Sequence, residues 1–244
     1  MGTAIVITSG KGGTGKTALT CGVGAALARQ GRRVLCLDLD VGLRNLDLVL
    51  GMTDRTALDF TDVIWRGYSL ERAAVPHPEV ENLHLLTAPM RWERAPDPEE
   101  MGTLLEEIRA HYDYCLIDSP AGIGPEFHLA ACRADRAVVV VTTDEASIRD
   151  AQQVRDQLHR YRIPNLLVVN RLSRWMLRRQ ELTVDDIIDA VGLRLLGIVP
   201  EDRKVALYAA QGRLTGLPPR LNPVRAWDNI ARRLDGKRTP ILWH

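Results

Sequence analysis

The stretch Gly10-Lys11-Gly12-Gly13-Thr14-Gly15-Lys16-Thr17, entered from the apolar run Ala4-Ile5-Val6-Ile7, decides the fold. Glycines at this density let backbone N–H groups turn inward around phosphate oxygens. Lys16 supplies a point charge to the outer phosphates, and the Thr17 hydroxyl suits Mg²⁺. Such a loop needs a strand before it and a helix after it, whose N-terminus adds a favourable dipole for an anion. The apolar run supplies the strand, and Lys16–Arg29 carries a helical pattern. The candidate phosphate-binding segment therefore runs Gly10, Lys11, Gly12, Gly13, Thr14, Gly15, Lys16, Thr17 and Ala18.

Outward from the loop, short apolar strands alternate with helical segments. Strands are expected over Thr3–Thr8, Arg33–Leu37, Leu83–Thr87, Tyr114–Asp118, Ala137–Thr142, Asn165–Val169 and Arg194–Val199. Runs such as Val138-Val139-Val140-Val141 are apolar throughout, which marks parallel strands covered on both faces. Helices are expected over Lys16–Arg29, Pro98–His111, Ser147–Tyr161, Val184–Ala190 and Pro223–Leu234, and Pro89–Pro98 reads as a surface loop. This alternation predicts a three-layer α/β/α domain with a mostly parallel central sheet. The expected division is a P-loop domain over residues 1–236 and a short tail over 237–244.

The 244-residue chain is 45% apolar and 26% charged with a net charge of +1, so no global basic field draws it to nucleic acid. Cys21, Cys36, Cys115 and Cys132 are scattered without metal-site spacing and read as free thiols of a reducing compartment. No signal peptide or membrane-length apolar run is visible, which gives a cytoplasmic expectation.

Ligands of open α/β sheets sit at the carboxyl ends of the strands, and the remaining candidates fall there. The second strand leads into Asp38-Leu39-Asp40 and then Asn45. In a strand Asp38 and Asp40 would share a side. Asp40 is the candidate for orienting an attacking water, with Asn45 as its partner. Asp38 is a candidate for the outer shell of Mg²⁺ or for linking nucleotide state to this segment. The strand Cys115-Leu116-Ile117 delivers Asp118, a Walker B carboxylate that would hold Mg²⁺ through water. Gly122 in the following loop is expected to offer an N–H toward the γ-phosphate. Asn170, ending another strand, carries an amide suited to a purine edge, and no guanine-selecting segment is present, which favours ATP.

Lys11 adds a second lysine at the loop's first variable position. The pattern KGGxGK[ST] resembles the deviant Walker A ATPases, the MinD/ParA family. Within it, Asp38-Leu39-Asp40-Val41-Gly42-Leu43-Arg44-Asn45-Leu46-Asp47, Asp118-Ser119-Pro120-Ala121-Gly122-Ile123 and Gly197-Ile198-Val199-Pro200-Glu201-Asp202 look like the cell-division branch. The resemblance runs from about Thr3 to about Leu234. It implies a catalytic Lys11 that reaches across an ATP-dependent homodimer, and functional Lys16, Thr17, Asp40 and Asp118. It also implies adenine held between Asn170-Arg171 and Pro200-Glu201-Asp202. The implied partners are a division inhibitor (MinC-like) and a topological regulator (MinE-like), with a helix starting near Ser147 as part of their docking face.

One departure stands out. The family usually ends in a basic amphipathic helix. Here Gly236 and Pro240 break any helix after Leu234 and leave Ile241, Leu242 and Trp243 beside Lys237 and Arg238. Such an anchor supports only weak inner-membrane contact, raised by avidity in a dimer. The competing reading is a partition or flagellar-number ATPase. It would bind DNA through Arg171, Arg174, Arg178 and Arg179, but DNA is not the expected partner. A metabolic ligase on the same scaffold would need a second pocket or an added domain.

Overall fold

The computed structural model describes residues 1–180 and 182–241. Its first strand, β1 (Thr3–Thr8), sends Ala4 and Val6 into one core and Ile5 and Ile7 into the other, all of them buried. A strand apolar on both faces needs helices on both sides, and the chain supplies them in order. After β1 come α1 (Lys16–Arg29), β2 (Val34–Asp38), α2 (Asn45–Leu50), α3 (Phe60–Arg66) and α4 (Leu70–Ala73). Next are β3 (Val75–Pro76), β4 (Leu83–Leu86), α5 (Pro98–His111), β5 (Tyr114–Asp118), α6 (Pro125–Ala131) and β6 (Arg136–Val141). The remainder is α7 (Glu145–Arg160), β7 (Asn165–Leu172), α8 (Arg174–Gln180), α9 (Val184–Val191), β8 (Leu195–Pro200), α10 (Arg203–Ala210) and α11 (Asn222–Leu234).

The strands form one sheet in the order β3-β4-β2-β5-β1-β6-β7-β8, parallel except for the β3–β4 pair. Crossing between parallel strands forces each connection over a face, which produces the three layers. Phe60, Leu105, Phe127, Ala151 and Ile187 from α3, α5, α6, α7 and α9 fill one side, while Leu27, Leu46 and Trp227 from α1, α2 and α11 fill the other. The expected strands and long helices match the observed ones closely. The main exception is β7, which continues past Val169 to Leu172 and so carries Asn170 and Arg171 within it. Pro98 closes the Pro89–Pro98 loop by starting α5, where Asp97 and Glu100 form a capping box. The short elements β3, α2, α3, α4, α6, α8 and α10 are additions to the sequence-based expectation.

Among the described residues no helix is long and apolar enough to cross a membrane. Cys21, Cys36 and Cys115 are buried free thiols and Cys132 is half-buried. Past Gly236 (φ 77°), the chain folds back along α11: Asn229 donates to the Pro240 carbonyl at 3.2 Å and Arg233 to that of Thr239 at 3.2 Å. Ile241 packs against the sheet core. Leu242 and Trp243, the other expected anchors, lie outside the described residues.

Candidate functional site

The carboxyl ends of the parallel strands meet at one edge of the sheet, and the phosphate loop lies at their centre. Gly13 and Gly15 sit at φ 80° and 88°, a region that side chains with a Cβ avoid. Gly10 is required for another reason. A Cβ there would lie 2.4 Å from the carbonyl carbon of Asp150, so α7 packs directly on the loop. Lys16 is 8% exposed, and its ammonium donates to Ser9 Oγ at 3.1 Å. Burial lowers its pKa, opposed by the charges of Asp118 and Asp40. Thr14 Oγ1 is buried without a partner among the described residues. Such a hydroxyl costs stability unless something accepts its proton.

The carboxylates crowd beside the loop. Asp118 ends β5, is 1% exposed and accepts from Thr20 Oγ1 at 3.3 Å, with the Thr17 hydroxyl beside it. Burial pushes its pKa up to about 6, with Thr17, Lys16 and Thr20 pulling the other way. Asp38 pairs with Asp118 in the β2–β5 register. Burial first, and then the Asp118 charge, raise it to about 8. Contrary to expectation, strand alternation does not set the relation of Asp38 to Asp40, because β2 ends at Asp38 and the chain turns there. Asp38 instead points inward and accepts from the backbone N–H of Asp40 at 2.8 Å and of Leu46 at 3.1 Å. It thereby staples the turn to the first residues of α2. Asp40 is half-buried and accepts from Asn45 Nδ2 at 3.5 Å, so the anticipated pair is brought together.

Gly122 (φ 88°) does not offer its N–H to a phosphate; the N–H is donated to the Ser9 carbonyl at 2.9 Å and ties the loop after β5 to the phosphate loop. Lys11 extends into solvent, 47% exposed, and pairs with Asp144 at 2.9 Å. Asp144 also caps α7 by accepting from Ser147 N at 3.0 Å. Sequence reading missed this carboxylate, although Thr143-Asp144 before an amphipathic helix carries an N-cap signal.

On the other side of the loop is a cavity of about 330 Å³, walled by Asn170, Pro200, Glu201, Ala206, Ala209 and Trp227 among others. Asn170 is 6% exposed and donates Nδ2 to the Thr14 carbonyl at 2.7 Å, so part of its amide steadies the loop. Its nearness also explains Gly15, where a Cβ would lie 2.5 Å from Asn170 Nδ2. Arg171 donates to the Gly13 carbonyl at 3.1 Å and faces Glu201 at 3.6 Å. It is therefore turned toward the loop and away from the basic cluster expected on α8. There Arg179 stacks on Trp175, which is 60% exposed. Asp202 caps α10 through Lys204 N at 2.9 Å. The α10 wall was absent from the sequence reading because α10 is only eight residues long and none of them is fully buried; its stripe is the half-buried Val205, Tyr208 and Ala209.

Three comparisons agree with this geometry. Residues 5–215 match the model of the CobQ/CobB/MinD/ParA nucleotide binding domain. The septum site-determining protein MinD of Synechocystis sp. is 40% identical over 99% of this chain and 92% of its own length. The solved MinC:MinD cell division protein complex of Aquifex aeolicus matches with a TM-score of 0.92 and 38% identity, covering 99% of each chain. The structure of the septum site-determining protein MinD complexed with Mg-ADP from Pyrococcus horikoshii matches at 0.85 and 29%, covering 96% of each. The chain belongs to the CobQ/CobB/MinD/ParA family of nucleotide-binding domains.

Proposed function

We propose that the chain is a nucleotide-switched ATPase of the MinD type, which places the division site by recruiting an inhibitor while its ATP-bound form is dimeric. The observation that carries this reading is the Asp40–Asn45 pair beside a loop holding both Lys11 and Lys16. Lys16 and the backbone N–H groups of Gly12 to Thr17 bind the phosphates. Asp40 and Asn45 hold the water that attacks the γ-phosphorus. A bond forms from the water oxygen, the bond to the β–γ bridging oxygen breaks, and ADP and inorganic phosphate leave, the water's protons going with the phosphate. This chemistry needs position and charge more than covalent help.

Mg²⁺ fits the carboxylate corner. Asp118 and Asp38 are buried carboxylates whose ionisation burial disfavours, and Thr17 stands beside the first of them. Thr17 and Asp118 would hold the ion, with Asp38 behind them in the outer shell. The ion, when bound, neutralises charge on the phosphate oxygens. The adenine would lie between Asn170-Arg171 and Pro200-Glu201-Asp202.

Dimerisation gives Lys11 its use. Its bond to Asp144 is exposed at both ends, and such pairs contribute at most about 1 kcal/mol. Lys11 can therefore leave Asp144 for a partner's nucleotide at little cost. The MinC:MinD complex of Aquifex aeolicus supports a MinC-like inhibitor as partner. A MinE-like regulator and weak contact of a cytoplasmic dimer with the inner membrane surface complete the reading.

Size-exclusion chromatography with ATP and Mg²⁺ tests it. Lys16→Ala is expected to abolish nucleotide binding. Asp40→Ala is expected to bind ATP, to lose turnover by about 100-fold or more, and to elute as a dimer. An Asp40→Ala protein that binds ATP and stays monomeric refutes the shared-nucleotide dimer. Pelleting with anionic liposomes only in the ATP state supports the membrane contact; no pelleting in either state removes it.

A further inference from the structure

The wall of the 330 Å³ cavity is joined to the Asp40–Asn45 pair by an uninterrupted set of contacts. Val205, Ala206 and Ala209 of α10 face the cavity, yet no residue of α10 is buried. Its apolar anchoring is limited to the half-buried Val205, Tyr208 and Ala209, which pack on the core, and its two ends are pinned as well. One end is the Asp202 cap. The other is Gly212 (φ 64°), whose N–H returns to the Ala209 carbonyl at 3.1 Å.

Gly212 rests on the end of α2. Gly51 (φ 68°) terminates α2, and a Cβ on it would stand 2.2 Å from the Gly212 carbonyl oxygen. A Cβ on Gly212 would stand 2.9 Å from the Leu48 carbonyl oxygen and 3.0 Å from Gly51 Cα. Two left-handed glycines thus meet backbone to backbone, a contact without flexible side chains to absorb displacement. The helix α2 is six residues long and opens with Asn45, which bonds Asp40, and Leu46, whose N–H bonds Asp38. A shift at Gly51 therefore reaches the water-holding pair through little more than one helical turn.

We propose that α10 closes on the purine base and that the Gly212–Gly51 contact passes this closure to α2, setting Asn45 and Asp40. Gly51 and Gly212 are positioning residues in this scheme. The inference rests on the nucleotide reading above and adds that the base, together with the γ-phosphate, informs the catalytic segment. Both ends of the chain of contacts have to move for the device to work. The phosphate loop, held on its own helix, does not.

Hydrogen exchange on the full-length protein with saturating ADP or saturating pyrophosphate, each with Mg²⁺, tests it. Both are expected to protect Gly12–Thr17. ADP alone is expected to slow exchange in α10 and in Leu46–Leu50 by about tenfold, an ordinary coupling strength. Gly212→Ala is expected to keep ADP affinity within about threefold, to lose the α2 protection, and to lower kcat for ATP by about tenfold with KM little changed. Protection of α10 without α2 by ADP, or equal protection of α2 by pyrophosphate, overturns the proposal; the wild-type arms decide this even if Gly212→Ala fails to fold. If ADP leaves the loop itself unprotected, the nucleotide reading fails first and carries this one with it.

Discussion

Asp118→Asn separates the energetic cost of the site from its chemical use. Burial raises the Asp118 pKa from 3.8 to about 6. A rise of that size disfavours the ionised folded protein by roughly 3 kcal/mol. A carboxyl raised in the folded state adds stability below its unfolded pKa, and that contribution is lost as pH climbs through the folded value. Without Mg²⁺ and nucleotide, the wild type should therefore lose stability between about pH 4 and pH 6 from this group. The amide of the variant cannot ionise, and its oxygen still accepts one hydroxyl. Its NH₂ loses the second hydroxyl contact, which costs about 1 kcal/mol. The net gain above pH 7 is about 2 kcal/mol, or a Tm higher by about 4–8 °C for a chain of this size. Differential scanning calorimetry of both proteins from pH 4 to pH 8 measures it. The difference should be small or reversed at pH 4 and keep growing to about pH 8, because removing the Asp118 charge also eases ionisation of Asp38. The variant should also lose the Mg²⁺-dependent part of nucleotide stabilisation. A variant less stable than wild type at pH 7.5, or a pH-independent difference, would falsify the assignment of a strained, buried carboxylate.

The remaining predictions are simpler. Lys11→Ala should change stability by less than about 1 kcal/mol, because its partner is exposed, yet it should abolish ATP-dependent dimers in light scattering. Asp144→Ala should cost about 1 kcal/mol through loss of the α7 cap and should leave dimerisation intact. A reversed order of the two, with Asp144→Ala blocking the dimer, contradicts the parked-lysine picture. Gly22→Ala should lower Tm by about 5 °C, since its Cβ would meet the Trp227 ring at 2.3 Å. An unchanged Tm in thermal denaturation would mean that α1 and α11 have room to spare.

What was legible in the sequence is what periodicity and short motifs encode. The bounds of α5 follow from apolar spacing and a capping box, the start of α1 from the phosphate loop that precedes it, and β1 and β5 from unbroken apolar runs, because burial on both faces leaves no other composition. The phosphate loop was legible because backbone demands force glycine into a fixed spacing. The expectation that alternation relates Asp38 to Asp40 breaks off at a strand end. Period-two alternation stops where the strand stops, and the residue's two backbone partners are not written in spacing. The Lys11–Asp144 bond joins positions 133 apart, and only the folded sheet brings β1 and β6 side by side. Helix α10 left only a faint pattern because its stripe is three half-buried residues, Val205, Tyr208 and Ala209, in a helix of eight. The missing information is concentrated in contacts between elements.

That concentration has a physical consequence for how the site works. Helix α1, behind the phosphate loop, buries eleven of its fourteen residues, so the phosphate end is fixed by the core. Helix α10, the proposed base wall, fully buries none and rests on half-buried Val205, Tyr208 and Ala209, and α2 is fastened mainly through Leu46, Asp47 and Leu50. Displacing α1 would open a cavity across the sheet, at several kcal/mol for each large side chain exposed. Displacing α10 disturbs only the half-buried Val205, Tyr208 and Ala209, and displacing α2 disturbs Leu46 and Leu50, fewer buried side chains than α1 carries. In the proposed placement, a nucleotide spanning both regions is anchored on the rigid side and does its conformational work on the other. The same division places Asp38 and Asp118 on the strands, Asp40 in the turn after β2, and Asn45, its partner, on the short helix. A site that must be indifferent to its ligand's arrival would need the opposite arrangement, with the base wall packed and the phosphate loop free. Grafting buried apolar residues onto the inward side of α10 should accordingly tighten nucleotide binding while reducing the difference between ATP and ADP states. Isothermal titration of both nucleotides against such a variant measures that difference directly; a variant that keeps the wild-type discrimination would show that the switch runs through the γ-phosphate alone.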